Sequence, residues 1–350
     1  ISFAMDSYDG VPVRRVAGWL SKTPPPPWKL FEHNYHNALI EADYASFLEQ
    51  FRPDVVHVQH LKDVSVGLLS ATARRGIPIV MTLHDYWAIC PNAQFVRPGA
   101  VICDGTHAQV ECGFCAAERL RSRALRRVAP LMAPLFWTRQ HIIRAQMRHV
   151  QRFIAPSEFL RRRYIAEGFA PERILQLENG LDLGRIAPAM VAPRPAFRGH
   201  YAFIGSLAWQ KGVHVAVEAF RALGDVGAQL KVWGNPHAFP DYVRSLQERA
   251  TGCPWIRFEG EADDPQLAQA LAWADYLLVP SLWWENSPVT IQEAYAAGVP
   301  VIASRLGALP EKVRDGHSGL LFEPGDAQAL ARIIRRTLNE PNLWQRLRAG

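Results

Sequence analysis

The sequence predicts an α/β protein built from two doubly wound, Rossmann-like domains. The chain has 350 residues, more than one hydrophobic core usually supports, and 49% of them are hydrophobic. Short apolar runs alternate with helical stretches, as expected of a parallel sheet covered by helices. A segment rich in Pro and Ala, 186–199, separates the two halves of this pattern.

The alternation is clearest in the second half. Strands are predicted at 201–207, 228–235, 255–261, 275–281 and 299–304, and helices at 212–223, 239–250, 264–274 and 288–297. The first half is weaker, with strands at 53–60, 77–85 and 152–157, helices at 66–76 and 157–168, and a closing segment at 173–182. We therefore assign 1–185 to the first domain, 186–199 to a linker and 200–350 to the second domain.

Composition excludes several classes of protein. No run of about 18 apolar residues is free of charge, which argues against a membrane-spanning helix. The opening stretch "ISFAMDSYDG" lacks the basic and apolar parts of a secretory signal, so the cytosol is the expected location. The net charge of +6 is modest for this length and does not indicate nucleic-acid binding.

The positive charge is concentrated in one segment, 119–152, which contains nine arginines and no acidic residue. Apolar side chains are interleaved with the arginines, a pattern that predicts one or two basic amphipathic helices. Such helices can lie on an anionic membrane surface. The alternative is a solvated basic face over a buried apolar stripe.

The stretch "SLWWENSPVTIQEAYAAGVPVIAS", 281–304, carries two carboxylates, Glu285 and Glu293. Ser287 before a proline predicts an N-cap for the helix at 288–297, which places Glu285 on a loop and Glu293 within the helix. Free N–H groups at a helix start suit a phosphate, and a carboxylate can hold two sugar hydroxyls. The alternative is that Glu285 is a solvated loop residue and that Glu293 lies on an exposed helix face.

The segment from "VPSLWWENSPV" to "GDAQALA" resembles the donor-binding region of the family 4 retaining glycosyltransferases, including their pair of glutamates with seven residues between them. "FIGSLAWQKGVHVAVEAF", "LENGLD", "FIAPSEFLRRRY" and "TLHDYWAICPNAQFV" extend the resemblance over most of the chain after about residue 50. It implies the GT-B fold, with an acceptor-side first domain and a nucleotide-sugar-binding second domain.

The resemblance also implies roles for single residues. Glu293 would hold the ribose hydroxyls of the nucleotide, Glu285 the transferred sugar, and Lys211 the diphosphate. His84 would reach the donor sugar from the first domain. Donor contacts are further expected from Gly205, Ser206, Asn286, Ser287 and the backbone around Gly307.

One position departs from the family pattern, which commonly has Arg where this chain has Ser206. The substitution removes a bidentate partner of the diphosphate. We expect Lys211 with backbone N–H groups, or Arg305 or another basic residue, to replace it. For His84 the alternative is also local, because a histidine beside Asp85 could be a hydrogen-bonded residue at a strand end.

Four of the five cysteines, Cys90, Cys103, Cys112 and Cys115, fall within one loop-rich region. Cys112 and Cys115 form a C-x2-C pair that suits a metal, and a structural zinc held by four thiolates is the leading interpretation. Free thiols and disulfides are the alternatives, the latter disfavoured in the cytosol. Cys253 stands apart and is expected to be an ordinary buried thiol.

The resemblance implies a retaining hexosyltransferase, class EC 2.4, that moves a sugar from a UDP- or GDP-linked donor to a hydroxyl of a glycan or lipid-linked acceptor. It would serve polysaccharide or glycolipid assembly at the inner face of a membrane. No cofactor is required for such catalysis, and no Asp-x-Asp motif occurs in the chain. The alternatives are a nucleotide-sugar epimerase of similar shape and a non-catalytic nucleotide-sugar binder.

The first residues resemble the family only from beyond its opening strand, Gly-rich loop and helix. From this we expect the N-terminal unit of the first domain to be missing and transfer by these 350 residues to be weak.

Overall fold

The computed structural model describes residues 2–17, 35–97, 101–105, 109–120, 122–194 and 196–350. Arg121 of the arginine-rich segment lies outside these residues. The chain divides into two compact units, one of residues 1–156 and 161–177 and the other of residues 157–160 and 178–350. No helix among the described residues has the length and hydropathy needed to cross a membrane.

The first unit contains eight strands and six helices among its described residues. They are β1 (Ser2–Tyr8), β2 (Val11–Ala17), α1 (Ala38–Phe51), β3 (Val56–Val58), α2 (Gly67–Ala73), β4 (Ile79–Thr82), β5 (Val96–Arg97), β6 (Val101–Ile102), α3 (Val110–Arg119), α4 (Arg123–Val128), α5 (Ala133–Met147), β7 (Arg152–Ala155), α6 (Glu158–Ala166) and β8 (Ile174–Gln176). The first residues of α6 are grouped with the second unit. Short 3-10 turns cover Ala129–Met132 and Pro171–Arg173.

The central sheet of this unit is parallel, with strand order β3-β4-β7-β8. It is the sheet that the weaker rhythm of the first half predicted. Two antiparallel hairpins, β1 with β2 and β5 with β6, were not predicted. The first turns at Asp9 and Gly10, which both have positive φ, the conformation that a tight hairpin turn requires.

Among its described residues, the second unit contains six strands and eight helices. They are α7 (Ala187–Met190), β9 (His200–Ile204), α8 (Val213–Leu223), β10 (Gln229–Trp233), α9 (Pro240–Arg249), β11 (Ile256–Gly260), α10 (Asp264–Trp273), β12 (Tyr276–Val279), α11 (Val289–Ala296), β13 (Val301–Ser304), α12 (Leu309–Lys312), β14 (Gly319–Phe322), α13 (Ala327–Asn339) and α14 (Pro341–Ala349). Two 3-10 turns, Leu183–Ile186 and Trp209–Lys211, complete the description.

All six strands of the second unit are parallel, in the order β11-β10-β9-β12-β13-β14. The order reverses at β9, so the crevice at the carboxyl ends of β9 and β12 is the expected ligand site of this sheet. Buried apolar side chains cover both faces: one core contains Phe220 and Trp344, the other Leu271 and Ile291. The predicted doubly wound architecture is therefore present, and β14 is an additional edge strand.

The second unit begins earlier in the chain than the sequence predicted. The segment 186–199, expected to be a linker, contains α7, and Ile186 and Ala189 are fully buried in the same core as Leu267 and Leu271 of α10. A segment that buries apolar side chains in a core is part of that core's domain. The boundary falls instead at residue 178.

Candidate active site

Glu285 and Lys211 meet at the carboxyl edge of the second unit's sheet. The Lys211 Nζ donates to Glu285 Oε1 at 2.8 Å, and the Ser281 hydroxyl donates to the same oxygen at 2.6 Å. Glu285 is 4% exposed. Lys211 also lies 5.3 Å from the ring centroid of Trp283. The loop glutamate is therefore a buried, hydrogen-bonded carboxylate with a cation beside it, and it is not a solvated loop residue.

Gly212 brings these two residues together. It has φ +69° and ends the 3-10 turn Trp209–Lys211, and a Cβ at this position would lie 1.8 Å from the carbonyl oxygen of Pro280. The backbone N–H of Leu282 donates to the carbonyl of Gln210 at 2.8 Å. Only glycine permits this approach, so the turn after β9 packs directly against the loop after β12.

Gly307 fixes the Glu285 loop from the other side. A Cβ here would lie 2.9 Å from Trp284 Cα and 3.1 Å from the Glu285 nitrogen, and φ is +60°. The N–H of Ala308 donates to the Glu285 carbonyl, and the N–H of Leu309 donates to Leu306. These two amides, which we expected to face the donor, are therefore used within the protein. The glycine serves to hold the loop.

The helix at 288–297 begins one residue later than predicted. Pro288 is the N-cap of α11, with extended φ −62° and ψ 114°, and it makes no side-chain cap hydrogen bond. The ψ of 114° keeps Pro288 outside the helix, although its φ is helical, and proline has no side chain that could cap the helix. The first N–H groups of α11 thus lack the side-chain cap that Ser287 was expected to provide.

Two buried polar atoms beside this helix start lack a hydrogen-bond partner among the described residues, Ser287 Oγ and Trp283 Nε1. Asn286, between them in sequence, is 8% exposed. Buried polar groups are nearly always hydrogen-bonded, so unmatched ones in a crevice indicate a polar ligand.

Glu293 lies in α11 with only 4% of its surface exposed. The Arg185 guanidinium approaches its Oε1 at 3.4 Å and bonds Asp264 at 2.8 Å. Burial raises the pKa of Glu293, Arg185 opposes this rise, and Asp264 adds to it. The exposed-helix interpretation of Glu293 is therefore wrong. Sequence reasoning missed Arg185, which had been assigned to the end of the first domain.

Gly205 and Ser206 follow β9. The Gly205 N–H donates to the Trp233 carbonyl at 3.0 Å, and Ser206 is exposed. Of the two cations proposed to replace the family arginine at Ser206, Lys211 is in the site. Arg305 is instead engaged by Asp315 at 2.7 Å and by Glu323 at 3.8 Å.

In the first unit, His84 lies two residues beyond β4 at the carboxyl edge of that sheet. Its Nε2 is 2.6 Å from Gln59 Oε1, and Asp85 contacts His60 at 3.0 Å. Partial burial lowers the pKa of His84, and the neighbouring His60 adds to this effect while Asp85 opposes it. The imidazole makes the local hydrogen bond that we considered as the alternative. Its contact with the donor sugar stays a prediction.

The four clustered cysteines line one cavity in the first unit and form no disulfide. The Cys90 thiol donates to Asn92 at 3.0 Å, and the Cys112 thiol donates to Gln109 at 3.3 Å. Burial raises the pKa of Cys112 to about 12, with the other three cysteines adding to the shift. Among the described residues, no group of three or more His, Cys, Asp or Glu side chains is placed to hold a metal ion. The arrangement does not support the zinc site, which stays a prediction.

Comparison with family models identifies the class of protein. The model described as Glycosyltransferase Family 4 matches residues 2–185, and the model described as Glycosyl transferases group 1 matches residues 198–340. The first match alone covers more than half of the chain. The chain therefore belongs to glycosyltransferase family 4, the family that its motifs indicated.

Individual proteins are similar at lower identity. D-inositol 3-phosphate glycosyltransferase 1 of Catenulispora acidiphila is 28% identical over 317 residues, which are 85% of this chain and 66% of that protein. The chain spans 42 to 66% of the lengths of the curated relatives that it matches.

Solved structures share the fold. Sucrose-phosphate synthase of Thermosynechococcus elongatus has a TM-score of 0.67 at 21% identity and covers 98% of this chain and 78% of its own. Anabaena Alr3699/HepE, in complex with UDP and glucose, has a TM-score of 0.63 at 18% identity and covers 88% and 74%. These likenesses show the GT-B fold with its two Rossmann-like units.

Proposed function

We propose that the chain is a retaining glycosyltransferase that moves a hexosyl group from a nucleoside diphosphate sugar to a hydroxyl acceptor. One observation carries the proposal: the buried Glu285 is bonded to Lys211 at the carboxyl edge of the second unit's sheet, one turn before the uncapped start of α11. A cation and free N–H groups at one edge suit a departing diphosphate. The family assignment and the UDP complex of the Anabaena neighbour support a nucleotide donor, with UDP-sugars as the first to test.

Each side chain has a distinct task in this proposal. Lys211 exchanges part of its contact with Glu285 for the diphosphate and stabilises the negative charge that develops as the sugar leaves. Glu285 holds hydroxyls of the transferred sugar, and Glu293 holds the ribose. No protein base is needed, because in a retaining reaction of this type a phosphate oxygen of the donor accepts the acceptor's proton on the face from which the nucleotide departs.

The test is a panel of nucleoside diphosphate sugars scored for binding, hydrolysis and transfer. Glu293→Gln should weaken binding of the free nucleoside diphosphate about tenfold, because charge-assisted hydrogen bonds contribute about 1.5–3 kcal/mol. Glu285→Gln should leave that binding within about twofold and reduce turnover. Glu323→Gln, on a side chain that is 73% exposed, is the matched control. Identical behaviour of Glu285→Gln and Glu293→Gln would overturn the division of roles.

We also propose that the arginine-rich segment contacts an anionic membrane surface. Helix α4 buries none of its side chains, and its arginines, Arg123, Arg126 and Arg127, are exposed. Large apolar side chains beside them are also exposed, including Leu131 at 80% and Trp137 at 63%. The second half of α5 buries Gln140, Ile143 and Met147 and exposes Arg144, so the solvated-face alternative describes only that part.

Sedimentation with neutral and anionic vesicles tests the membrane contact. Leu131→Asp with Trp137→Asp should abolish a binding that falls with salt, since each basic residue at the surface contributes about 1 kcal/mol. Leu39→Asp, on a leucine of α1 that is 63% exposed, is the control. Equal binding to both kinds of vesicle would remove the proposal. Such a location would suit polysaccharide or glycolipid assembly.

A further inference from the structure

Arg139 is a buried arginine without an acidic partner. Only 4% of its surface is exposed, although it lies in the segment whose other described arginines face solvent. Its NH2 donates to the carbonyl of Trp87, its guanidinium lies 5.5 Å from the Trp87 ring centroid, and Tyr35 shares a side-chain hydrogen bond with it. Among the described residues, no carboxylate lies within ion-pair distance of Arg139, and its NH1 has no hydrogen-bond partner. A buried charge in this state is costly unless a ligand compensates it.

Arg139 lines a cavity of about 470 Å³ within the first unit, which is the size of a small-molecule site. Apolar side chains form much of its wall, among them Ile89, Phe95, Met132 and Phe136. These side chains come from the loop after β4, from the 3-10 turn that begins at Ala129 and from α5. A cavity of this composition accepts an apolar body of substantial size.

The charges around the cavity are unequal. Of the residues that the structure describes, four cationic side chains line it, Lys62, Arg97, Arg119 and Arg139, against two acidic ones, Glu111 and Glu167. Glu111 is paired with Arg97 at 2.9 Å, and Glu167 is paired with Arg163 at 3.1 Å. Neither carboxylate is therefore left to neutralise Arg139, and the site favours an anion.

We infer that this cavity binds an anionic amphiphile, an apolar chain carrying a phosphate or diphosphate, with the anionic group on Arg139 and the apolar chain against Phe95 and Phe136. The inference deepens the proposed function, on which it rests, because it names the class of acceptor: a hydroxyl-bearing group joined to a lipid through a phosphate or diphosphate. The planar guanidinium binds phosphate oxygens in a bidentate fashion.

The surface next to the cavity is consistent with a ligand that comes from a bilayer. Met132 and Phe136 line the cavity, while their sequence neighbours Leu131, Leu135 and Trp137 are 80%, 45% and 63% exposed. One short helical segment thus presents apolar side chains both to the cavity and to the outside. A lipid anchored in a membrane could pass between the two along this segment.

Calorimetry with farnesyl diphosphate, below its micellar concentration, tests the inference on the full chain. Inorganic pyrophosphate and farnesol are the partial probes, and each should bind at least tenfold more weakly than the joined molecule. Arg139→Gln should weaken farnesyl diphosphate binding at least tenfold without lowering the thermal stability of the unliganded protein. Arg148→Gln, at the exposed C-terminal end of the same helix, is the control and should stay within twofold of wild type.

A second variant protects the test from misfolding of the first. Ala116 also lines the cavity, and Ala116→Trp should fill the space and abolish farnesyl diphosphate binding. Equal affinity in wild type and Arg139→Gln would overturn the inference, as would pyrophosphate binding as tightly as farnesyl diphosphate. One zinc per chain together with no farnesyl diphosphate binding would also overturn it, because a thiolate-bound metal would then be the partner of Arg139. UDP binding by the wild-type protein is measured in the same experiment. If the wild type does not bind UDP, the proposed function is contradicted, but the farnesyl diphosphate result is unaffected.

Discussion

Lys211 and Glu285, 74 residues apart in sequence, form a 2.8 Å ion pair in which the carboxylate is 5% exposed and the lysine 28%. The pair joins the loop after β9 to the loop after β12, the two central strands of the second unit's sheet. The residue proposed to stabilise the leaving diphosphate is thus held in place by the residue proposed to hold the sugar.

Removing one member of this pair should destabilise the second unit. Lys211→Met leaves Glu285 buried with Ser281 as its one remaining side-chain donor in the described part of the chain, and we expect a loss of about 2–3 kcal/mol in the free energy of unfolding. Urea unfolding measures it. The double variant Lys211→Met/Glu285→Gln should lose less than Lys211→Met alone, because no unpaired charge remains. Additive losses would contradict a coupled pair.

Glu293→Gln should stabilise the fold at neutral pH while weakening nucleotide binding. Burial raises the folded-state pKa of Glu293, so the carboxyl contributes stability that is present below its unfolded pKa and is lost as pH rises through the folded value. The variant should therefore melt above wild type at pH 7, and the difference should vanish towards pH 4. Thermal unfolding across this range, with Glu323→Gln as control, checks the sign. A variant that melts below wild type at pH 7 would show that the bond with Arg185 dominates.

Gly212 and Gly76 offer a comparison of positive φ with and without a close approach. Their φ angles are +69° and +70°, but a Cβ at Gly76 meets nothing within 4 Å, whereas one at Gly212 meets the Pro280 carbonyl oxygen at 1.8 Å. Gly76→Ala should cost about 1 kcal/mol, the usual penalty of a positive φ for a residue with a side chain. Gly212→Ala should cost about 3 kcal/mol or more and reduce donor binding. Equal losses in the free energy of unfolding of the two variants would mean that the loops after β9 and β12 move apart easily.

The fold could largely be predicted from the sequence because its signal is local. In the second unit the apolar runs of β9 to β13 and the helices between them were all predicted, since buried parallel strands are nearly continuous apolar segments. The hairpin β1–β2 was missed because its strands expose most of their side chains and carry no alternating pattern.

The site was only partly predictable, for a physical reason. The resemblance selected Glu285, Glu293 and Lys211, but the partners Ser281 and Arg185 are set by the folded backbone, and Arg185 is 108 residues from Glu293. Likewise, nothing in the spacing of the nine arginines distinguishes Arg139, which is buried, from Arg144 of the same helix, which is exposed. Which of the two arginines is buried depends on which side of α5 packs against the loop after β4.

The early start of the second unit decides how this protein can be dissected. A fragment beginning at His200 would lack Ile186 and Ala189, which fill the core beside α10, and Arg185, which faces Glu293. It would also lack Glu178, which bonds the nearly buried ammonium of Lys312 at 2.6 Å. Such a fragment would expose an apolar groove and remove Glu178 from the buried ammonium of Lys312, so poor expression would say nothing about nucleotide affinity. Recombinant work on the donor-binding half should therefore retain the chain from residue 178 onward.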